Sequence, residues 1–440
     1  MRQLRSRTQW FVEHAVPRAV VRRAARAGDP QALLITDETV RADPYPTLAA
    51  VRARGPLVQG RLSLVSATHA VAREVLGRKD FGTISDGTAL PGPLRAAAAW
   101  ARDPTAFHPL DPPSLLVLEP PDHTRLRRLV SRVFTARAVE GLRARTEQIA
   151  TELLDDLEVA GRAGPVDLVS AYATMLPVTV IAEILGVPPE SRAQVLAFGA
   201  AAAPSLDLGL SWREYRGVVA SLSSFDDWLV AHLRRLRERP GDDLLSQLVT
   251  LPDDGETIGD RELRAIAGLL LAAGFETTVN LLGSGTDLLL RHPDQLARLR
   301  TDPTGWPNAV DELLRLESPV QVTARSARHD TRVAGIDVRA GSFVVLLLSG
   351  ANRDPEVFGD PDRLDVARAN AREHLSFSGG RHFCVGAALA RMEGEVGLRA
   401  LTERFPDLAL APGAVRRPTR VLRGWQVLPV TTGAPAPALV

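Results

Sequence analysis

The sequence predicts a mainly α (α+β) fold, helix-rich with a small β-sheet portion, and three observations carry that reading. Apolar residues recur at three- and four-residue spacing through 142–157, 178–185, 221–237 and 260–291, the period of a helix with one buried face. Strand-like runs are short and few: 57–65, 331–338, 342–348 and 421–430. The alternating β–α–β rhythm of a parallel sheet is missing, and no internal repeat stands out.

Taken in order, the chain opens on a basic segment, with Arg2, Arg5, Arg7, Arg18, Arg22, Arg23 and Arg26 set against Glu13. It has no continuous apolar core, so it reads as an amphipathic surface helix and not as a secretory signal. Residues 89–113 hold Pro91, Pro93, Pro104, Pro109, Pro112 and Pro113 and read as a long ordered loop, of the kind that often carries function. Pro120 and Pro121 close that loop, and Asp122 can cap the helix that follows. On that helix His123 and Arg127 are four apart and share a face. Two donors on one face suit a carboxylate or a phosphate. A small-residue stretch, 199–212, separates two helices.

The segment from Asp260 is the longest helix, about 45 Å at ~1.5 Å per residue. Its apolar middle contains Glu276, Thr277 and Thr278; burying an acid and two hydroxyls there is costly unless something uses them. Thr277 can donate to the carbonyl of Ala273, which would open the backbone ladder and bend the helix, with Gly274 easing the bend. Glu312 and Arg315 are three apart on one helical face. Pro319 ends that helix and an extended strand follows through Arg325. The last residues, 431–440, are rich in Pro and Ala and are expected to be disordered.

Composition excludes several classes of function. With 45% hydrophobic residues in a chain of 440 there is material for a large core in one or two domains. A net charge of +1 gives no sign of a nucleic-acid partner. The most apolar run, 265–275, is too short to span a bilayer and ends at Glu276, so the expectation is a cytoplasmic protein without stable membrane insertion. Lys79 is the lone lysine among many arginines, the codon bias of a high-GC bacterial genome. Cys384 is the lone cysteine: it can make neither an intrachain disulfide nor a multi-thiolate zinc site, but it can hold one metal by one bond.

That cysteine sits in Phe377-Ser378-Gly379-Gly380-Arg381-His382-Phe383-Cys384-Val385-Gly386. Glycines let backbone pass close to a large flat group, and one thiolate beside them suggests haem iron held by cysteine. The string resembles the haem-binding signature of the cytochrome P450 family, with Phe377, Gly380, His382, Cys384 and Gly386 on the pattern. Ala273-Gly274-Phe275-Glu276-Thr277 resembles the family's oxygen-activation motif. The Glu312/Arg315 pair, the His123/Arg127 helix, the segment around Arg325 and the stretch from Ala351 to Asp365 are similar to further family segments. The resemblance runs from about Ala42 to Pro429. Leu364 stands where the family usually has phenylalanine, and Val385 where leucine is usual.

The resemblance implies a single P450 domain over 1–440, with 1–35 as an N-terminal extension of unassigned role. It implies haem b between the long helix and the cysteine loop, with Cys384 as the axial iron ligand and His123, Arg127, Arg325 and His382 as propionate donors. Thr277 would position dioxygen and Glu276 would relay protons. Glu312/Arg315 would be structural. Leu269, Leu270, Ala273, Val320, Gln321, Val322, Thr323, the loop 89–113, the stretch 199–212 and the turn at 423–426 would build the pocket. Its small apolar character suits a bulky lipophilic substrate such as a macrolide, polyketide, terpene or steroid, and antibiotic biosynthesis is the expected setting. No flavin or nicotinamide fingerprint appears, so electrons would come from a ferredoxin and its NAD(P)H-dependent reductase. The outward-facing Arg125, Arg128 and Arg132 would form part of the docking patch. A monomer is expected. Hydroxylation or epoxidation leads; desaturation, oxidative coupling, or a catalytically silent relative that binds a partner remain beside it.

Overall fold

A computed structural model describes residues 1–83, 92–102, 107–132, 134–250 and 258–433. The helix predicted over 260–291 is observed over the same residues, Asp260–Arg291. Its start is fixed by Glu262, whose Oε2 accepts from the Gly259 N–H at 3.0 Å, and its end by His292 before Pro293. It is buried on nearly all sides between helices Met175–Ile184, Trp306–Leu316 and Ala387–Arg404. By length and composition this helix could cross a membrane, where the apolar run alone could not, but 78% of its most apolar window is buried inside the molecule. A helix apolar all round is expected of such a core position.

The other helical periodicities appear as Arg143–Gly161, Met175–Ile184 and Trp212–Glu238. The last begins in a capping box, Ser211 with Glu214. The β component is a five-stranded sheet, ordered Val58–Gln59, Leu64–Ser66, Phe343–Leu347, Val322–Ala327, Phe81–Gly82. Only the Leu64–Ser66/Phe343–Leu347 pairing in it is parallel. The run 331–338 folds as the hairpin Thr331–Val333/Ile336–Val338.

Three expectations change. The proline-rich stretch 89–113 contains a helix, Gly92–Ala101; Pro93 sits in its first turn, where a missing N–H costs nothing. Residues 89–91 and 103–106 of that stretch, and 434–440 of the tail, lie outside the described residues. Asp122 is the first residue of helix Asp122–Ser131, whose cap position, Pro121, has no side-chain bond. The central helix runs without interruption past Thr277, and Gly274 serves close packing: a Cβ there would stand 3.0 Å from Cγ1 of Ile181.

The N-terminal segment forms Arg2–Trp10, a π-helical turn Phe11–Ala15, Val16–Arg26, and Pro30–Thr36 capped by Asp29. Trp10 anchors it, donating to the Leu210 carbonyl at 3.0 Å and meeting the Trp212 ring edge-on at 5.5 Å.

Candidate active site

The cysteine loop is closed by a bond from the Cys384 N–H to the Phe377 carbonyl, 3.0 Å. Between them Ser378 (φ 61°) and Gly380 (φ 62°) are left-handed. Gly380 is required twice over: a Cβ there would lie 2.0 Å from the Leu76 carbonyl oxygen, in a conformation L side chains avoid. The Cys384 side chain is exposed yet densely surrounded by protein. Burial pushes its thiol up, while the Gly386 N–H and the charges of Arg127 and Arg391 pull it down. Phe377 packs beside it, with Arg391 stacked 4.6 Å from the ring centroid. Among the described residues, nothing beyond its chain neighbours lies within 4 Å of where a Cβ on Gly386 would stand.

Next to the loop is a group of donors with too few acceptors. The rings of His123 and His382 are 4.4 Å apart; Nε2 of each is buried without a hydrogen-bond partner among the described residues, and that of His382 stands 3.7 Å from Oε1 of Glu119. Arg325, on strand Val322–Ala327, is buried; among the described residues its side chain donates only to Thr323 Oγ1 (3.1 Å) and the Ala324 carbonyl (2.9 Å). Burial lowers its pKa to about 10. His382 is pushed down to about 4, chiefly by burial and then by Arg325 and His123. Arg127 donates to the Phe383 carbonyl. The nearby carboxylate, Glu119, is already engaged by Arg381, by Arg328 at 3.3 Å and by the Thr83 N–H at 2.7 Å. Unsatisfied buried donors of this kind cost free energy unless an anion meets them.

On the central helix, Thr277 Oγ1 donates to the Ala273 carbonyl at 3.1 Å as expected. Glu276 is 3% exposed, and burial raises its pKa against the opposing pull of Arg417. Both residues border a cavity of about 980 Å³, on the scale of sites for large ligands.

A cytochrome P450 family model matches residues 307–419. The Mycobacterium tuberculosis protein carrying the name cytochrome P450 140 is 51% identical over 99% of this chain and 100% of its own length. The chain belongs to the cytochrome P450 family. It is also similar to the 6-deoxyerythronolide B hydroxylase of Saccharopolyspora erythraea, at 46% identity over 71% of this chain and 76% of the relative. Among solved structures, the bacillaene polyketide synthase P450 PksS of Bacillus subtilis matches with a TM-score of 0.80 and 33% identity, covering 92% of this chain and 99% of that one. As a P450 the protein is a monooxygenase that binds haem b through a cysteine thiolate.

The residues present fit that cofactor. Haem b carries two carboxylates, and the buried ring nitrogens of His123 and His382, neither holding a hydrogen bond, beside the under-bonded Arg325 are the donors two carboxylates need.

Of the expected pocket residues in this P450, Leu269, Ala273, Val320, Gln321, Val322, Thr323, Arg423 and Gly424 line the large cavity. Leu270 does not: it is packed in the hydrophobic core, and Ala272 takes the cavity face in its place. Arg125 is likewise reassigned, because it is half-buried and paired with Glu262, while Arg128 and Arg132 are exposed. Two groups were missed. One is the N-terminal part of the lining, including Leu34, Ile35 and Arg41; the other is the segment from Ala414 to Leu422. No local pattern marked them: 414–422 carries Arg416, Arg417 and Arg420 among its apolar residues, and its approach to the cavity depends on distant packing.

The Glu312/Arg315 pair expected on sequence spacing is fully buried and bidentate, at 2.6 and 2.9 Å. Arg368 adds a second cation to Glu312 at 3.0 Å, and Arg315 also caps the carbonyls of Asn352, Pro361 and Arg363. It ties the helix Trp306–Leu316 to the coil that leads to the cysteine.

Proposed function

We propose that this P450 hydroxylates or epoxidises a bulky lipophilic small molecule of macrolactone or polyketide type, as a secondary-metabolite tailoring enzyme. The observation that carries the reading is the large cavity, which ends on Glu276 and Thr277 and is lined there by Leu269, Ala272, Ala273, Val320 and Val322. Relatives named for 6-deoxyerythronolide B and for polyketide biosynthesis agree with it.

In this reading Cys384 would hold the haem iron through its thiolate, with the Gly386 N–H and Arg391 tempering its negative charge. His123, Arg127, Arg325 and His382 hold the two propionates. Bound haem supplies the oxidising chemistry, with the thiolate favouring O–O cleavage. The protein's part is orientation, exclusion of water and proton control. Glu276 holds a proton more readily than an ordinary carboxylate because it is buried, and Thr277 presents its hydroxyl beside it to the cavity. Electrons come from a ferredoxin that docks near the exposed Arg128 and Arg132, and the enzyme works as a cytoplasmic monomer.

The test is a visible-absorption titration of the ferric protein with macrolactones, steroids, terpenes and fatty acids. A low-spin to high-spin shift with macrolactones is expected. A shift confined to another class would overturn the substrate assignment.

A further inference from the structure

A second, smaller cavity of about 130 Å³ lies beside the large one and has a different character. Its polar lining comes from Arg18 and Arg22 of helix Val16–Arg26, from Arg41, and from Arg420. The two cavities share Ile35, Arg41, Leu208 and Arg420, so the small one opens onto the wall of the large one.

Four guanidinium groups around so small a space repel one another, and Asp207 and Glu214 offset them only in part. Nε of Arg420 is buried without a partner, and its Nη1 reaches only the Leu208 carbonyl. Arg41 donates to the Ile35 carbonyl at 3.0 Å. The side chains of Arg18 and Arg22 donate no hydrogen bond to any described residue. The acids close by are engaged. Asp207 accepts the backbone N–H groups of Arg420 (2.9 Å) and Val421 (3.0 Å); burial raises its pKa, and the charges of Arg420 and Arg41 pull it back through space. Glu214 accepts from the Ser211 N–H and feels Arg18 and Arg420 only through space. Guanidinium forks match oxyanions in two-pronged geometry, and a cluster of like charge attracts its complement.

We infer that this arginine cavity binds an oxyanion, a carboxylate or a phosphate, carried by the substrate. The inference rests on the large cavity being the substrate site. It also gives the N-terminal extension a role, since the extension supplies two of the four cations.

Calorimetric titration of the haem-loaded protein with inorganic phosphate tests it, with Arg22→Gln and Arg420→Gln beside the wild type. One phosphate is expected to bind, about tenfold more weakly in each variant, the size of one lost charge-assisted hydrogen bond. Arg22 is exposed on its helix, so its variant is expected to fold and to keep its Soret band. Absence of phosphate binding, or equal affinity in all three proteins, would overturn the site. Two ligand pairs separate the sources of the oxyanion. Hexadecanoate against hexadecanol reports a free acid; phosphopantetheine against pantetheine reports a phosphate. A preference for the charged member that Arg22→Gln abolishes supports the site, and equal affinities within both pairs contradict it. If neutral macrolactones fail to shift the Soret band, the substrate-class proposal falls, while phosphate binding still decides this one.

Discussion

Oε1 of Glu276 stands 2.8 Å from Nη1 of Arg417. The approach is off the hydrogen-bond axis, so Oε1 gains charge contact without a donor aimed at it. Burial and the Arg417 charge pull the acid in opposite directions, and burial prevails. Arg417 therefore restrains how far the pKa of Glu276 rises. It follows strand Val415–Arg416, far along the chain from the helix it serves.

Replacing Arg417 by methionine removes the restraint. The Glu276 pKa then rises further, so its ionised fraction at neutral pH falls and the acid limb of coupled turnover moves to higher pH, by about one unit for a partly buried pair. Product formed per NADPH over pH 5 to 9 checks this, and an unmoved limb contradicts it. Glu276→Gln, which cannot carry a proton, is expected to slow turnover about a hundredfold with a solvent isotope effect.

Thr277→Ala deletes a hydroxyl facing the cavity and its bond to the Ala273 carbonyl. Substrate affinity should stay within about twofold, because the methyl-sized change removes no large contact. Product per electron pair should fall about tenfold as peroxide appears, the loss expected when one positioned proton donor is removed. Full coupling in this variant would remove Thr277 from proton control.

Glu312→Ala leaves Arg315 and Arg368 as buried charges without their carboxylate. A loss of about 3–5 kcal/mol is expected, read as the urea midpoint of the haem-loaded protein. Arg315 keeps three backbone carbonyls, which should place the loss at the lower end.

Glu393 lies fully buried on helix Ala387–Arg404 with no hydrogen-bond partner among the described residues for either carboxylate oxygen, and burial raises its pKa to about 8 against the opposing influence of the Thr278 hydroxyl. The folded state therefore binds more protons than the unfolded one between pH ~4.5 and 8. The stabilising influence of the protonated form is complete at low pH and is lost as pH rises through that window, at a slope approaching 1.4 kcal/mol per unit. Glu393→Gln should flatten the fall. Parallel stability–pH curves for the two proteins would contradict this.

Gly380→Ala forces a Cβ against the Leu76 carbonyl in a left-handed residue. The loop that presents Cys384 must then shift, and haem occupancy after purification is expected to drop severalfold. Full occupancy would show that the loop tolerates the change.

The parts of this molecule that sequence reveals are those fixed locally. Helix Asp260–Arg291 was legible to its ends because Glu262 and Pro293 mark them. The Thr277–Ala273 bond follows from four-residue spacing, and the cysteine loop from its glycines. What escaped depends on distant packing or on burial from every side. Because the central helix is apolar all round, its period could not tell that Leu269 faces the cavity and Leu270 the core. Helix Gly92–Ala101 hid behind prolines that mark loops elsewhere. The Glu276–Arg417 contact joins segments that no local pattern connects. Nor could the N-terminal arginines be assigned before Trp10 was seen anchoring them against Leu210 and Trp212.

The most direct test of the haem-thiolate site is the reduced carbonyl spectrum of the wild type beside Cys384→Ser. The wild type should give the red-shifted Soret band of a thiolate-bound carbonyl complex, and the variant should lose it. The same red-shifted band in Cys384→Ser would contradict the assignment of the only thiol in the chain as the iron ligand.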